Sequence, residues 1–304
     1  MLELVKNRSE ILFLYDIKDA NPNGDPVDEN KPRIDEETGK NIVTDVRLKR
    51  TIRDYLHDYK EKDIFVLEIR NEKGELKTKE ERLKDFNNSP KEVLEKCIDI
   101  RLFGATTAVE ERTMALTGPV QFKYGKSLHK VDLTYIKGTT VMPSGAEKKQ
   151  GTFTERYILP YSLIAFYGVI NENSAEHQNI RLTEEDVSLM IEGIWNGTKN
   201  LISGSKFGQM PRLLMQVIYK KGNFYIGELD KRLFLKSDKN DEAIRDISEV
   251  KIDITNFAKA LIKHRDKIEK IRLKVDDRIF FIKEENEISI REALSGITIE
   301  ELVF

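Results

Sequence analysis

Acidic and amide side chains near the N-terminus, basic side chains in three places, four histidines and one cysteine are the residues here that could do chemistry. In DANPNGDP, Asp19, Asn21 and Asn23 stand at positions one, three and five and Gly24 at six, the opening of a calcium loop. That loop needs a bidentate Glu at position twelve, where this chain has Asn30, and it needs flanking helices, whereas an apolar strand pattern precedes Asp19. Pro22 and Pro26 stiffen the segment, and Asn-Pro and Asn-Gly-Asp-Pro form turns for their own backbone reasons. The stretch reads as a turn, with a calcium-binding structural domain as an alternative. Downstream, Asp25, Asp28 and Asp35 could hold a metal or activate a 2′-hydroxyl, although acidic loops are mostly solvated. His57, His129, His177 and His264 show no metal spacing, Cys97 falls in an apparently structural helix, and no Walker loop or GxGxxG is present. No catalytic residue, metal or cofactor is expected.

The basic clusters point to polyanions. The helical pattern TDVRLKRTIRDYLHDY, capped by Thr44, puts Leu48, Ile52, Tyr55, Leu56 and Tyr59 on one face. Arg47, Lys49, Arg50 and Arg53 fall on the opposite arc near the helix N-terminus, where the dipole disfavours cations by about 0.3–1 kcal/mol each. A phosphate backbone passing there would offset that cost, since N–H and guanidinium groups both bind phosphate. Pairing with Asp54 and Asp58 on an ordinary exposed face is the plain alternative. In SGSKFGQMPR, Gly204 and Gly208 permit close backbone approach while Ser205, Lys206, Gln209 and Arg212 supply donors; a helix-ending turn explains the same glycines. In TGPVQFKYGKSLHK, Lys123, Lys126 and Lys130 alternate with Phe122 and Tyr124, as in grooves that bind single strands, or as in a strand with aromatic core residues. No one cluster decides.

These residues need elements to position them. SEILFLYDIK predicts a buried strand, with Ile11, Phe13, Tyr15 and Ile17 alternating against Leu12 and Leu14. The proline-rich stretch 19–41 is a long loop, and such loops tend to be functional. DIFVLEI predicts a second strand, residues 78–97 turn helical and charged with Ser89 as N-cap, and 134–157 predict a long hairpin about PSGAEKKQG. ILPYSLIAFYGVI and RLLMQVIY predict strands, LTEEDVSLMIEGIWNGTKNLI a helix starting at Thr183, TNFAKALIKHRDKIEK another helix, and IRLKVDDRIFFI a hairpin. Without insertions the order is strand, helix, strand, strand, helix, strand, the ferredoxin-like or RRM-like arrangement of an α+β fold.

Bulk composition narrows the partners. With 39% hydrophobic and 34% charged residues the surface is strongly charged, yet the net charge is only -2. Any nucleic acid must therefore meet a local basic patch, whose field reaches roughly 8–10 Å. One cysteine fits a reducing cytoplasm, no apolar run is long enough to span a membrane, and MLELVKNRSE does not read as a signal sequence. A soluble, cytoplasmic protein is expected.

DANPNGDP, TDVRLKRTIRDYL, TGPVQF, ERYILPY, and LTEEDVSLMIEGIWNGTKNL followed by SKFGQMPRLLMQV together resemble the backbone subunit of type I CRISPR effector complexes (Cascade), of the RAMP superfamily and most like the type I-B branch. The resemblance covers about residues 9–219. It implies one modified RRM-like domain over 1–304, with a helical insertion at about 70–105, a β-hairpin thumb at 134–157, and C-terminal elements at 240–304 packed on the core. It also implies copies stacked along one crRNA, beside other Cascade subunits, presenting the guide to target DNA, with each thumb flipping out one nucleotide. Such subunits are not nucleases; a separate helicase-nuclease degrades the DNA.

Carried onto this chain, the resemblance makes Arg47, Lys49, Arg50 and Arg53 contacts to the crRNA backbone. Gln121, Lys123, Lys126 and Ser127 would lie beside the guide, as would Ser205, Lys206, Gln209 and Arg212. Val141 and Met142 would be apolar wedges on the thumb, and Arg156 would stand at its returning base. The related type III subunit cleaves target RNA with an aspartate of this first loop. Its following helix starts rich in glycine and serine, where this chain has VTDVRLKR. A metal-dependent endoribonuclease using Asp25, Asp28 or Asp35 is therefore the remaining alternative.

Overall fold

The strand β1 (Ser9–Ala20) is apolar on both faces because it is covered on both. Successive strand side chains point to opposite sides, so Ile11, Phe13, Tyr15 and Ile17 enter one core while Leu12 and Leu14 enter another. Each fully buried aliphatic or aromatic side chain contributes roughly 1.5–3 kcal/mol, which makes this strand the spine of the molecule. The computed structural model describes residues 3–109, 112–139 and 153–304.

The main sheet adds β2 (Ile34–Asp35), β3 (Lys40–Val43), β4 (Gly125–Lys130), β5 (Phe153–Ile170), β6 (Met210–Tyr219), β7 (Ile268–Val275) and β8 (Ile299–Glu301). Their order is β8-β7-β6-β1-β5-β4-β3-β2, antiparallel except for the β7/β8 pair. Ser9 lies opposite Ile170 on one side and Ile218 on the other. Short strands Val120–Phe122 and Thr134–Thr139 also pair with β5, the latter from Thr134 opposite Ile158 to Thr139 opposite Phe153. Thus β5 runs without a break from the base of that hairpin into the core. The wedge candidates Val141 and Met142 lie outside the described residues.

Two helices cover one face: α1 (Asp45–Asp58) through Leu48, Ile52 and Leu56, and α2 (Glu184–Lys199) through Val187, Ile191 and Ile194. The start of α2 is a capping box in which the Thr183 hydroxyl accepts from the Asp186 N–H and the Asp186 carboxylate accepts from Thr183. Gly197 lets the two helices close up, since a Cβ there would stand 3.0 Å from the Thr51 carbonyl oxygen. The opposite face carries α3 (Thr255–Lys263) through Phe257, Ala258 and Leu261. Beside it lies a small sheet of Phe234–Lys236, Lys251–Asp253, Phe281–Lys283 and Asn286–Glu287. Three short helices, Lys79–Lys84, Pro90–Lys96 and Ile98–Phe103, enclose a third core with Phe65, Leu83, Phe86 and Val93. Cys97 joins the last two; burial first, then the nearby Asp99 and Asp63 carboxylates, pushes its thiol up to about 12.

Several expectations are corrected. DIFVLEI is not a strand: the N–H groups of Phe65 and Val66 donate to the Asp99 carboxylate and the carbonyls of Ile64 and Phe65 accept from Arg82, so its backbone is satisfied without a sheet. The helix expected over 255–270 ends at Lys263, and residues 268–270 begin β7 beside β6 instead. IRLKVDDRIFFI is no hairpin, because its halves belong to different sheets. Asp276 accepts from Arg212 while Arg278 pairs with Asp246, which pulls the two sides of the turn apart. Tyr59, expected in the core, is 59% exposed and stacks on Tyr55. An unforeseen pair, Gly104–Val109 with Arg112–Thr117, follows the short helices.

Candidate nucleic-acid interface

The first loop is tied to α1 by amides rather than by a metal. The Asn23 Oδ1 accepts from both the N–H and the hydroxyl of Thr44, each at 2.9 Å, so Thr44 spends its hydroxyl there and does not cap the helix as expected. Asn21 donates through Nδ2 to the Asn30 carbonyl at 2.7 Å, and its N–H donates to the Ser205 carbonyl at 2.8 Å. The motif is therefore a turn that fastens the loop, the start of α1 and the 203–208 segment together. The three aspartates go to three different cations: Asp25 to Arg33 at 3.4 Å, Asp28 to Lys31 at 2.8 Å and Asp35 to Lys126 at 3.3 Å. Among the described residues no three His, Cys, Asp or Glu side chains gather as a metal-binding group.

The four bases of α1 separate into kinds. Lys49 is 8% exposed, pairs with Asp45 at 2.8 Å and lies over the Phe103 ring. Arg53 is equally buried, pairs with the fully buried Asp99 at 2.9 Å and lies over the same ring. Both were expected on an exposed arc; the Ile98–Phe103 helix covers that side. Arg50 remains at the surface but pairs with Asp54 at 2.6 Å and Glu68 at 3.6 Å.

Arg47 differs from all three. Among the described residues its guanidinium donates only to the Thr51 hydroxyl at 3.0 Å, its Nε is buried without a partner, and no carboxylate lies within ion-pair distance. Lys206 is likewise half-buried, and among the described residues its ammonium donates only to the Ser205 hydroxyl at 3.1 Å. Burial lowers the pKa of both; at Arg47 the charge of Asp54 opposes this and that of Arg50 adds to it, and at Lys206 the charge of Arg47 adds to it. Two cations are thus held together, partly dehydrated and outside any ion pair among the described residues, an arrangement that favours an incoming phosphate.

Around them the loop is open. Gly204 has nothing within 4 Å of a Cβ position, Gly208 turns the chain at φ +91°, and Phe207 between them is 70% exposed. Phe207 was not singled out from the sequence; an aromatic between two loop glycines and next to a lysine was the available signal. Arg156 donates to the Gly204 carbonyl at 3.0 Å, bringing the base of the Thr134–Thr139/β5 hairpin to this loop. The Tyr157 hydroxyl donates to Glu29 at 2.9 Å and Lys31 lies over the Tyr157 ring, docking the first loop on the same base.

The structure therefore brings together Arg47, Arg156, Ser205 and Lys206. It does not bring the other expected contacts there. Arg212 is 3% exposed between Asp16 and Asp276, Gln209 is buried, and Ser127 is buried with its hydroxyl donating to the His129 carbonyl. Gln121 donates to the Gly118 carbonyl, Lys123 pairs with Glu228 at 3.7 Å, and Lys126 pairs with Asp35. Gln121 stands opposite Val169, at the far end of β5 from Arg156 and roughly 40 Å of strand away at ~3.3 Å per residue.

Fold and site together define an α+β protein with a large mixed sheet, helices on both faces, and a notch of two unpaired cations at one end. The family model described as CRISPR-associated protein Cas7 matches residues 7–255, and the chain belongs to that family. A curated relative, the CRISPR-associated protein Cas7 of Haloferax volcanii, is 34% identical over 306 residues, covering 90% of this chain and 88% of the relative. Two solved structures share the fold. A chain of a "CRISPR RNA-guided surveillance complex, pre-nicking" has a TM-score of 0.59 at 11% identity, covering 97% of this chain and 96% of that one. A chain of a "CRISPR RNA-guided surveillance complex" has a TM-score of 0.55 at 15% identity, covering 96% and 94%. Among the described residues no helix is long and apolar enough to cross a membrane.

Proposed function

We propose that this chain is the crRNA-binding backbone subunit of a type I CRISPR interference complex, copies of which line up along the guide and leave it free to pair with target DNA. The observation that carries this reading is the pair Arg47 and Lys206, two partly dehydrated cations outside any ion pair among the described residues, beside a hairpin base and an open loop. Guide phosphates would lie across Arg47, Lys206 and Arg156, the Ser205 hydroxyl would donate to them, and Phe207 would meet a base face. The order β6-β1-β5-β4, with α1 and α2 on one face, supports a modified RRM-like core. On that core the segment 134–157 would be the thumb and the short helices after residue 78 an insertion. In this reading the chain breaks no bond and works in the cytoplasm.

The test is titration of end-labelled crRNA with the purified chain on native and denaturing gels, with Mg²⁺ and with EDTA. Stepwise shifts with intact RNA in both buffers are expected. A single shift that does not grow with protein would overturn the filament, and cuts that need Mg²⁺ would make the first loop an active site.

A further inference from the structure

Beyond Leu159, which stands opposite Ala20, β5 leaves β1 and among the described residues has only the strand Thr134–Thr139 as a ladder partner. A two-stranded ribbon without a third strand is marginal and twists strongly by itself, so its direction is set by whatever grips its base. Two contacts grip it, one from each face, because successive strand side chains point to opposite sides. Arg156 donates to the Gly204 carbonyl at 3.0 Å, and the Tyr157 hydroxyl donates to Glu29 at 2.9 Å. Lys31 completes the second contact, with its Nζ 5.2 Å from the centre of the Tyr157 ring and 3.3 Å from the Glu29 carboxylate. Tyr135 stands opposite Tyr157 with ring centres 5.1 Å apart, so the hydroxyl is carried by a side chain packed against its own hairpin.

The first loop is bent to reach that hydroxyl. Glu29 and Asn30 are consecutive left-handed residues, φ 47° and 56°, a conformation that residues other than glycine adopt uncommonly even one at a time. The bend is held from within the loop. The N–H groups of Asp28 and Asn30 both donate to the Asp25 carbonyl, and Asn21 Nδ2 donates to the Asn30 carbonyl. Gly24 makes room for the Asn30 side chain, since a Cβ there would lie 2.1 Å from its Oδ1. Strain of this kind persists only where the surroundings over-determine it. What the bend delivers here is a carboxylate at the Tyr157 hydroxyl.

We infer that Glu29 is a positioning residue: with Tyr157 it forms a latch that fixes the direction of the hairpin relative to Arg47 and Lys206, and so the length of guide between that notch and the hairpin. Glu29 itself touches no RNA and acts through the Tyr157 ring and the strand that carries it. Its consequence for the guide rests on the proposed function, whereas its grip on the hairpin does not.

The experiment has two arms on the full chain. Without RNA, nitroxide labels on T139C and K199C, both at exposed positions, read the distance from the hairpin to α2 by pulsed electron resonance; Cys97 is fully buried and stays unlabelled. With RNA, ribonuclease footprinting of end-labelled crRNA reads the spacing of protected stretches. Wild type is compared with E29G, E29Q, Y157F and E29G/Y157F. Glycine relaxes the left-handed backbone while deleting the carboxylate, so E29G should melt at or above the wild-type temperature. Its distance distribution should widen about twofold as a second orientation becomes populated, and its footprint should lose regular spacing. Y157F should behave alike, and E29G/Y157F no worse than either, as expected of two residues in one contact. E29Q keeps an acceptor for the hydroxyl and should fall between. An unchanged distribution in both E29G and Y157F overturns the latch. A widened distribution with a regular footprint overturns its role in placing the guide. Widening that comes only with a lowered melting temperature makes Glu29 an ordinary stabilising contact and overturns the inference as well. A wild-type footprint without regular spacing is failure of the guide-binding reading instead, and the RNA-free arm then decides the latch alone.

Discussion

Arg47 and Lys206 raise each other's energy: each is partly buried, the charge of Arg47 lowers the pKa of Lys206, and neither makes an ion pair among the described residues. Within the chain this pair is a cost, and a phosphate would turn it into a binding determinant. Arg47→Gln and Lys206→Gln should each weaken crRNA binding about tenfold to a hundredfold, the worth of one charge-assisted hydrogen bond of ~1.5–3 kcal/mol. The salt slope should fall by ~0.7 per substitution for a single strand. Each variant should lose no more than about 1 kcal/mol of stability in urea, because one hydrogen bond to a hydroxyl and no ion pair is removed. Wild-type affinity in both, measured by anisotropy, would remove the notch from the RNA path.

Arg50 lies three residues from Arg47, nearly one helical turn, and makes the contrast. Its guanidinium is engaged by Asp54 and Glu68, so its charge is largely answered before any RNA arrives. Arg50→Gln should change crRNA affinity by less than about twofold, with a stability loss of ~0.3–1 kcal/mol for a surface ion pair. An effect on RNA as large as that of Arg47→Gln would mean that Arg50 leaves its carboxylates on binding.

A different cost is expected where a base is structural. Arg53 is paired with Asp99, which also accepts the N–H groups of Phe65 and Val66 and so holds the 63–69 segment in place. Replacing Arg53 by Gln leaves a fully buried carboxylate without its cation. Loss of one partner of such a pair costs about 3–5 kcal/mol. Urea unfolding should read that loss directly, and a change under 1 kcal/mol, as at an ordinary surface site, would contradict the burial.

These three arginines show where sequence reading succeeds and stops. The helix itself was legible, since Leu48, Ile52 and Leu56 recur at helical spacing and all reach the core. Its opposite arc was not, because a helical wheel records what one layer covers and says nothing of the Ile98–Phe103 helix that arrives from 40 residues later. DIFVLEI misled for the same reason: its strand-like composition is real, but Asp99 and Arg82 take its backbone groups from a distance. IRLKVDDRIFFI has the period of two strands, while the choice of different sheets depends on Arg212 and Asp246. At the candidate site, Lys206 and Arg47 were legible as basic residues in RNA-like settings. What distinguishes them from Arg212, Lys49 and Arg53 is the absence of a carboxylate, a fact of three-dimensional contact.

His129 gives the chain a pH dependence of stability that the surface carboxylates do not. It is buried, its Nε2 accepts from the Leu163 N–H at 3.3 Å, and its Nδ1 therefore carries the proton shared with the carbonyls of Lys130 and Asp241. The ring stacks on Tyr161, and the nearby Lys40 adds positive charge. Burial is the main cause that lowers its pKa below the ordinary 6.5. A histidine with a depressed folded pKa is protonated first in the unfolded chain as pH falls. Its contribution is whole above about 6.5 and is lost on going below that value, at up to ~1.4 kcal/mol per pH unit until the folded pKa is reached. Asp16 and Glu184, whose pKa values burial raises, act with the opposite sign, so the comparison with a His129 variant is what isolates the histidine. Urea midpoints should therefore fall between pH 7.5 and 5.5 in the wild type and stay flatter in His129→Gln, whose amide cannot titrate. The same slope in both proteins would assign the effect to other groups.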